Sequence, residues 1–240
     1  MFSSLYKRDL SGFFYSSGAY IIYAIYAVLT AIMAFFWGEY LDFPDQSLLS
    51  VFAYQPQILI IIIPAITIRS WSDEHKNGTL ENLLTYPISS FSLVMAKFSA
   101  SFTISAAMLV FSLPLLFCSS FYLQTDWGNV FCSYLGALCM IAVLCAAGCL
   151  ISFSVASPAA AYLLGLVFAV LWIDFNWGKI ITSNLQNIPF YLDGVLDFSR
   201  NYQNFLNGQL NPASLFYFIS FCMLLLLFNW LTVSNRRAAI

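Results

Sequence analysis

The chain is predicted to be an all-α polytopic membrane protein with six transmembrane helices, an N-terminal interfacial helix and a short cytoplasmic helix between spans 2 and 3. Three observations predict this fold. Hydrophobic residues make up 61% of the 240 residues and charged residues only 8%, against about 25% in soluble domains. The apolar residues fall in five long uncharged runs, and most lysines and arginines lie on one side of them. Lipid must therefore solvate most of the chain.

The uncharged runs place the spans. About 20 apolar residues cross a hydrocarbon core of roughly 30 Å, so four of the runs hold one span each. The run from Trp127 to Ile173 is too long for one helix, and it is predicted to split at Ser152 to Pro158, where a turn before proline allows a new helix to start. The predicted spans cover residues 18–37, 48–68, 98–121, 130–151, 158–173 and 212–233.

Lysine and arginine indicate the orientation, because short cytoplasmic loops carry an excess of both. With a cytoplasmic N-terminus, seven of the nine fall inside, and only Lys179 and Arg200 fall outside. Both termini are therefore predicted to be cytoplasmic. Met1 is expected to be retained, since the first apolar run is too long for a cleavable signal. Residues 174–211 are predicted to form an external loop with short helices at the outer interface.

Residues 1–17 are predicted to form an interfacial helix ahead of the first span. Apolar side chains recur on one side at helical spacing, opposite Lys7 and Arg8. The helix would lie along the inner leaflet and turn into the bilayer near Ser16 to Gly18. The alternative is a first span that simply protrudes. The apolar residues are Phe2, Leu5, Tyr6, Leu10, Phe13 and Phe14.

The sequence disfavours several kinds of chemistry. Every charged residue and the single histidine, His75, can be assigned to a loop, a terminus or a span boundary, so an ion-coupling site inside the spans is not expected. One histidine excludes a histidine metal cluster, and we interpret His75 as a solvated loop side chain. The six cysteines contain no Cys-x-x-Cys pair and are interpreted as packing residues. Nine scattered cations form no stripe for nucleic acid.

The cytoplasmic segment 69–97 carries the most informative pattern. Asn77 to Thr79 combine a glycine with a capping hydroxyl, leucines follow at i, i+3 and i+4, and Pro87 ends the segment. This pattern predicts a short amphipathic helix, whose apolar face must dock on the bundle's own base or in a groove of a partner. Asn77-Gly78-Thr79 also matches a glycosylation sequon, which a cytoplasmic location excludes. The leucines are Leu80, Leu83 and Leu84.

The same segment carries a resemblance to a known family. Its pattern comprises an arginine after the second span, Glu74, Gly78, Thr79, Leu80, Glu81, Leu84, Pro87, and Lys97 at the entry to the third span. This pattern resembles the permease subunits of the ABC-2 transporter family, within it the six-span group of gliding-motility-associated and copper-enzyme-maturation (NosY-like) transporters. The resemblance covers nearly the whole chain, so that residues 1–240 would be a single ABC-2 membrane domain.

The resemblance implies that residues 70–87 form the coupling element, seated on a separate ATPase subunit. Glu74 and Glu81 would pair with basic residues of that ATPase, and the leucines would supply apolar contact. ATP and Mg would be bound by the ATPase, with no cofactor and no catalytic residue on this chain. The coupling residues would be Glu74, Gly78, Thr79, Leu80, Glu81, Leu83, Leu84 and Pro87.

Six spans form half of a usual ABC membrane core, so the resemblance also implies a homodimer or a heterodimer with a second permease. The setting implied is the lipid of a bacterial inner membrane. Small residues that would allow close helix contacts are Gly136, Ala146, Ala147, Gly148 and Gly165.

The function implied is that of a permease subunit of an ATP-driven exporter. A mechanotransmission or membrane-assembly subunit is the alternative, in which the same coupling helix drives an external partner bound at residues 174–211 without a transported substrate. A scramblase acting without ATP is a third possibility, and it predicts that residues 70–87 are dispensable.

Overall fold

The regular elements in the described part of the chain are all helices. The structure is a computed structural model that describes residues 2–34, 52–76, 78–86, 88–120, 126–174 and 197–238. Its α-helices are α1 (Phe2–Phe14), α2 (Ser17–Ile32), α3 (Gln55–Thr67), α4 (Arg69–Lys76), α5 (Leu80–Thr85), α6 (Ser90–Met108), α7 (Leu113–Ser120), α8 (Trp127–Ser154), α9 (Pro158–Asp174), α10 (Phe198–Leu206) and α11 (Pro212–Ala238). A 3₁₀ turn, Leu109–Ser112, joins α6 to α7.

Short polar side chains start several of these helices. Ser16, Ser89, Asp126 and Asp197 stand at the N-caps of α2, α6, α8 and α10, and each accepts a hydrogen bond from a backbone N–H of the first turn. Such caps satisfy N–H groups that have no partner inside the helix. The starts of these four helices are therefore written in the local sequence.

Proline and glycine mark other boundaries. α9 and α11 begin at Pro158 and Pro212, where the missing N–H of proline is not needed. Gly78, between α4 and α5, has φ of 65°, and Gly208, between α10 and α11, has φ of 72°. A side chain at these two positions would be strained. Both turns therefore depend on glycine.

Helix α8 lies at the centre of the bundle, where α3, α4, α6, α9, α10 and α11 all pack against it. Glycine makes the closest approaches possible. A Cβ on Gly148 would lie 2.1 Å from Thr67 Oγ1 of α3, and a Cβ on Gly136 would lie 2.8 Å from Phe205 Cβ of α10. These small residues thus pack helices within this chain.

Three helices are long and apolar enough to cross a membrane, judged by length and composition within the described residues: Ser90–Cys118, Trp127–Ser154 and Pro212–Ala238. The pair α1 and α2 would make a fourth, but it bends by 70°. α9 has 17 residues and α3 has 13, which correspond to about 26 Å and 20 Å at 1.5 Å per residue. Parts of the first, second and third predicted spans, residues 35–37, 48–51 and 121, lie outside the described residues.

The bend between α1 and α2 falls at Tyr15 and Ser16, beside the turn predicted near Ser16 to Gly18. The break between α8 and α9 falls at residues 155–157, inside the segment where the sequence predicts a split. Helix α6 differs from expectation, because it begins at Ser90 rather than near residue 98. Lys97 therefore lies two turns inside a helix instead of at its entry.

Helix α6 tightens into the 3₁₀ turn two residues before Pro114. Proline has no N–H for the carbonyl one turn earlier, and its ring crowds that turn. The Ser112 hydroxyl donates to Leu109 O at 2.7 Å and lies 2.8 Å from the Tyr134 hydroxyl of α8. The break in the third predicted span is thus held against the central helix.

Candidate functional site

The segment singled out by the sequence folds as two short helices, α4 and α5, joined at the glycine turn. We call α4 and α5 together the basal hairpin, and the end of the bundle that carries them the basal end. Only the second helix is predicted from the sequence. Pro87, and Asn77 of the sequon, lie outside the described residues. Thr79 occupies the N-cap position of α5, but its side chain makes no capping hydrogen bond.

The apolar face of α5 docks on the bundle's own base. Leu80, Leu83 and Leu84 are only 4%, 8% and 3% exposed, and all three belong to the main hydrophobic core. Of the two docking sites that the sequence leaves open, the structure uses the internal one. The leucines therefore hold α5 on the bundle and are not available as a contact surface for another protein.

The polar face of the hairpin points away from the bundle. Gly78, Thr79 and Glu81 are exposed, and so is Tyr86 just after α5. Glu81 is the one predicted coupling carboxylate that stays on the surface. These four residues form what we call the hairpin tip.

Glu74 has partners inside the chain in place of the expected contact with a basic residue of another subunit. Its Oε1 accepts from Lys97 Nζ of α6 at 2.6 Å and from Arg8 Nη2 of α1 at 2.8 Å. Asp9 completes the group, because its Oδ2 lies 3.0 Å from Lys97 Nζ and its Oδ1 accepts from Arg8. Two cations and two anions thus tie α1, α4 and α6 together, and we call them the basal charge network.

Burial makes this network more costly to break than a surface pair. Lys97 is 3% exposed as a residue, and its Nζ also lies 5.3 Å from the centre of the fully buried Trp71 ring. Burial lowers the pKa of Arg8, but the Asp9 and Glu74 carboxylates outweigh it, so the net direction is upward. Arg8 therefore keeps its positive charge.

The hairpin is also attached to α8. The backbone N–H of Trp71 donates to Ser152 Oγ at 3.3 Å, and that hydroxyl donates to Ile68 O at 2.8 Å. His75 corrects an expectation: it is half-buried rather than solvated, with Nε2 3.0 Å from Phe153 O. Helix α4 is therefore fixed along its length to the end of the central helix.

The last helix holds the end of the hairpin. Arg237 of α11 donates to the carbonyl oxygens of Tyr86, at 2.8 Å, and of Ile88. One planar guanidinium thus bonds two backbone carbonyls that follow α5. The hairpin is consequently joined to α1, α6, α8 and α11, while the residues of its tip stay exposed.

A cleft of about 350 Å³ opens beside the network, between α1, α4 and α6. Its lining includes the network residues and also Arg69 and Asp73. Arg69 donates to Ser16 Oγ at 2.9 Å, and a Cβ on Gly18 would lie 2.6 Å from its Nη2. No group of three or more metal-ligating His, Cys, Asp or Glu side chains occurs within the described ranges.

The charge network was not predicted from the sequence. The sequence places Arg8 on the polar side of the interfacial helix and Lys97 at a span entry, counts both toward the orientation, and indicates no role for Asp9. One signal is present in the sequence: Lys97 is a single charge in a long apolar segment, where an unpaired charge is costly. Nothing in the spacing of residues 9, 74 and 97 indicates that they meet.

In its described residues the protein is all-helical, with three or four candidate membrane spans and a polar hairpin docked at one end of the bundle. Residues 13–176 match the family model described as ABC-2 family transporter protein, which covers more than half of the chain. The chain therefore belongs to the ABC-2 transporter family. A search of curated proteins finds no match.

Membership gives the chain a general role as the membrane subunit of an ABC transporter. Such subunits are generally not catalytic themselves, and the family implies an ABC ATPase as partner. The matched region contains the whole basal hairpin and Lys97, and it begins a few residues after Arg8 and Asp9.

Proposed function

We propose that this chain is the permease subunit of an ATP-driven exporter and that the basal hairpin is its coupling element, seated on a separate ATPase. The observation that carries the proposal is the contrast within the hairpin. Its tip is exposed and polar, while the rest is bonded to four helices of the bundle. A force applied to the tip would therefore reach several spans at once.

The contact with the ATPase would involve Gly78, Thr79, Glu81 and the exposed ring of Tyr86 rather than the leucines. The Glu81 carboxylate can pair with a basic residue on the partner. Gly78 has no side chain, so another backbone can approach the turn closely. Glu74 would act one step further inside, because it passes movement of α4 to α1 and α6. Rigid-body motion of a docked element is a common way to couple two subunits.

The topology proposed remains that of six spans with both termini in the cytoplasm. The basal end would then face the cytoplasm, where ATP and Mg are bound by the ATPase. The chain would lie in a bacterial inner membrane and pair with a second copy or a related permease. Its exposed apolar side chains on α2, α9 and α11 suit contact with lipid or with that second permease.

Co-purification of the tagged chain with an ABC ATPase from the same cells tests the coupling proposal. Changing Leu80 or Leu84 to a charged residue would be a poor test, because both are buried in this chain's own core. Glu81→Arg is better, since Glu81 is exposed and the change reverses one charge at the tip. The proposal expects the native chain to retain the ATPase and the variant to lose most of it.

Lys7→Glu is the matched control, because Lys7 is also exposed and lies on the same predicted side of the membrane. The substitution reverses a charge outside the hairpin. It should retain the ATPase. Equal retention by Glu81→Arg and the native chain, with both inserted at native levels, would overturn the coupling role of the tip. Stimulation of ATP hydrolysis without movement of any substrate would instead favour the mechanotransmission alternative.

A further inference from the structure

The cleft beside the charge network has a charge balance suited to a particular class of ligand. Its lining includes three cations and three anions: Arg8, Arg69, Lys97, Asp9, Asp73 and Glu74. A site with no net charge concentrates neither simple anions nor simple cations from solution. A zwitterion, by contrast, can place each of its charges against the opposite one.

Two features leave bonding capacity open among the residues that line this cleft. Glu74 is 9% exposed, and its Oε2 is buried without a hydrogen-bond partner, although Oε1 is fully used. A buried carboxylate oxygen without a donor is costly, so a ligand that brings an N–H group would be stabilised there. Glu74 Oε2 can therefore accept a hydrogen bond from a ligand, and a cationic donor would form the strongest one.

The second open feature is at the rim. Arg69 and Asp73 lie one turn apart on α4, both exposed, and no ion pair joins them. Residues at this spacing are near enough to pair on a helix surface, about 5–6 Å apart at Cβ. Arg69 is instead held back by Ser16 and packed on Gly18. Its remaining N–H groups are thus presented beside the cleft in a fixed position.

The other side of the cleft is apolar. Phe13, Ile66 and Ile104 line it and are almost fully buried. Phe13 lies at the end of α1, next to the bend into α2, whose outer face exposes Tyr20, Ile21 and further apolar side chains. A charged part and an apolar part in one cleft, beside a lipid-facing helix, fit an amphiphile better than a fully polar solute.

We propose that this cleft binds the headgroup of a phospholipid that carries a phosphate and a primary ammonium, namely a phosphoethanolamine group. Arg69 takes the phosphate, and Glu74 Oε2 and Asp73 take the ammonium. A choline headgroup has no N–H to donate, and a glycerol headgroup has no cation, so both satisfy fewer of these groups. The proposal does not rest on the coupling role of the hairpin tip, although Thr79 of the tip also lines the cleft.

Lipid retention by the full chain tests the proposal. The chain is reconstituted in vesicles with equal parts of phosphatidylethanolamine, phosphatidylcholine and phosphatidylglycerol, then purified in mild detergent, and the bound lipid is measured by mass spectrometry. Phosphatidylethanolamine should be enriched about tenfold over the other two, the factor for one charge-assisted hydrogen bond. Arg69→Gln with Asp73→Asn should remove the enrichment.

Gly12 offers an independent test from another helix. It lines the cleft, and a Cβ placed on it would meet no atom within 4 Å. Gly12→Leu should therefore place its side chain in the cleft and abolish the enrichment, whereas the matched Gly12→Ala should largely keep it. Thermal unfolding of each variant verifies that the fold is retained.

A competition experiment distinguishes recognition of the headgroup alone from recognition of the whole lipid. If millimolar O-phosphoethanolamine displaces the lipid, the cleft recognises the headgroup alone; if it does not, the acyl chains also contribute, and the lipid is the ligand. Both outcomes support the site. Equal retention of the three lipids by the native chain, or enrichment that survives both the charge variant and Gly12→Leu, would overturn it.

Discussion

The ammonium of Lys97 lies 2.6 Å from Glu74 Oε1, with only 4% and 11% of the two side chains exposed. This contact joins the third predicted span to the basal hairpin. A buried ion pair adds little net stability, because both ions lose their hydration, but loss of one partner leaves the other charge buried and unpaired. The pair therefore fixes the position of α4 more than it strengthens the fold.

Glu74→Ala is expected to lower the free energy of unfolding by about 3 kcal/mol, the lower end of the cost of breaking a buried pair, because Lys97 loses its closest counter-charge but keeps Asp9 at 3.0 Å. Thermal unfolding can be followed with a thiol-reactive dye, since Cys145 and Cys149 are completely buried in the folded chain.

Glu81→Ala is the control for this change and should stay within about 0.5 kcal/mol of the native chain, as an exposed substitution usually does. The double variant Glu74→Leu with Lys97→Met should recover most of the loss, because it removes both charges together. A Glu74→Ala variant as stable as Glu81→Ala would contradict the role of the network.

Gly148→Ala is expected to lower the free energy of unfolding by about 1–3 kcal/mol, the usual range for overpacking. The new methyl would lie 2.1 Å from Thr67 Oγ1, so α3 and α8 must separate. Gly12→Ala is the comparison, because it makes the same change on a helix with open space around it. The same dye assay measures both, and the prediction fails if Gly148→Ala unfolds at or above the temperature of Gly12→Ala.

Arg237→Lys is expected to loosen the hairpin without unfolding the bundle. Lysine keeps the charge but cannot hold the Tyr86 and Ile88 carbonyls with one planar group. Amide exchange in Leu80–Thr85 should accelerate about tenfold, as expected for the loss of roughly 1.4 kcal/mol from a local opening equilibrium.

Exchange in Trp127–Ser154 of α8 serves as the internal reference for this measurement and should not change. Unchanged exchange across α5 would show that Arg237 does not restrain the hairpin. A uniform increase over α5 and α8 would point to global destabilisation instead.

The proposed orientation predicts opposite labelling of two exposed positions. With Cys118, the exposed native thiol, changed to serine, Glu81→Cys should react with a membrane-impermeant maleimide only in inverted vesicles. Gln209→Cys, in the turn between α10 and α11, should react only in right-side-out vesicles. In the six-span topology three spans lie between the two positions, which places them on opposite sides. Labelling of both positions from the same side would therefore refute that topology.

The sequence by itself determined that the described part of the chain is helical and where several helices begin. Long uncharged runs require helices in lipid, Ser89 and Asp126 cap their own first turns, and Gly78 and Gly208 supply the positive φ that two turns need. The leucine spacing after Thr79 likewise predicted α5, because helical periodicity is a local property. Membership in the ABC-2 family agrees with the resemblance carried by residues 74–87.

Only the tertiary structure decided what those elements contact. Whether Leu80 and Leu84 face this chain or another protein depends on helices that are far away in sequence, and so does the pairing of Glu74 with Lys97 and Arg8. The sequence likewise did not indicate that Gly148 packs against Thr67 of the same chain. Local spacing determines a helix and its faces, whereas the partner of each face is set by long-range packing and by the cost of leaving a buried charge unpaired.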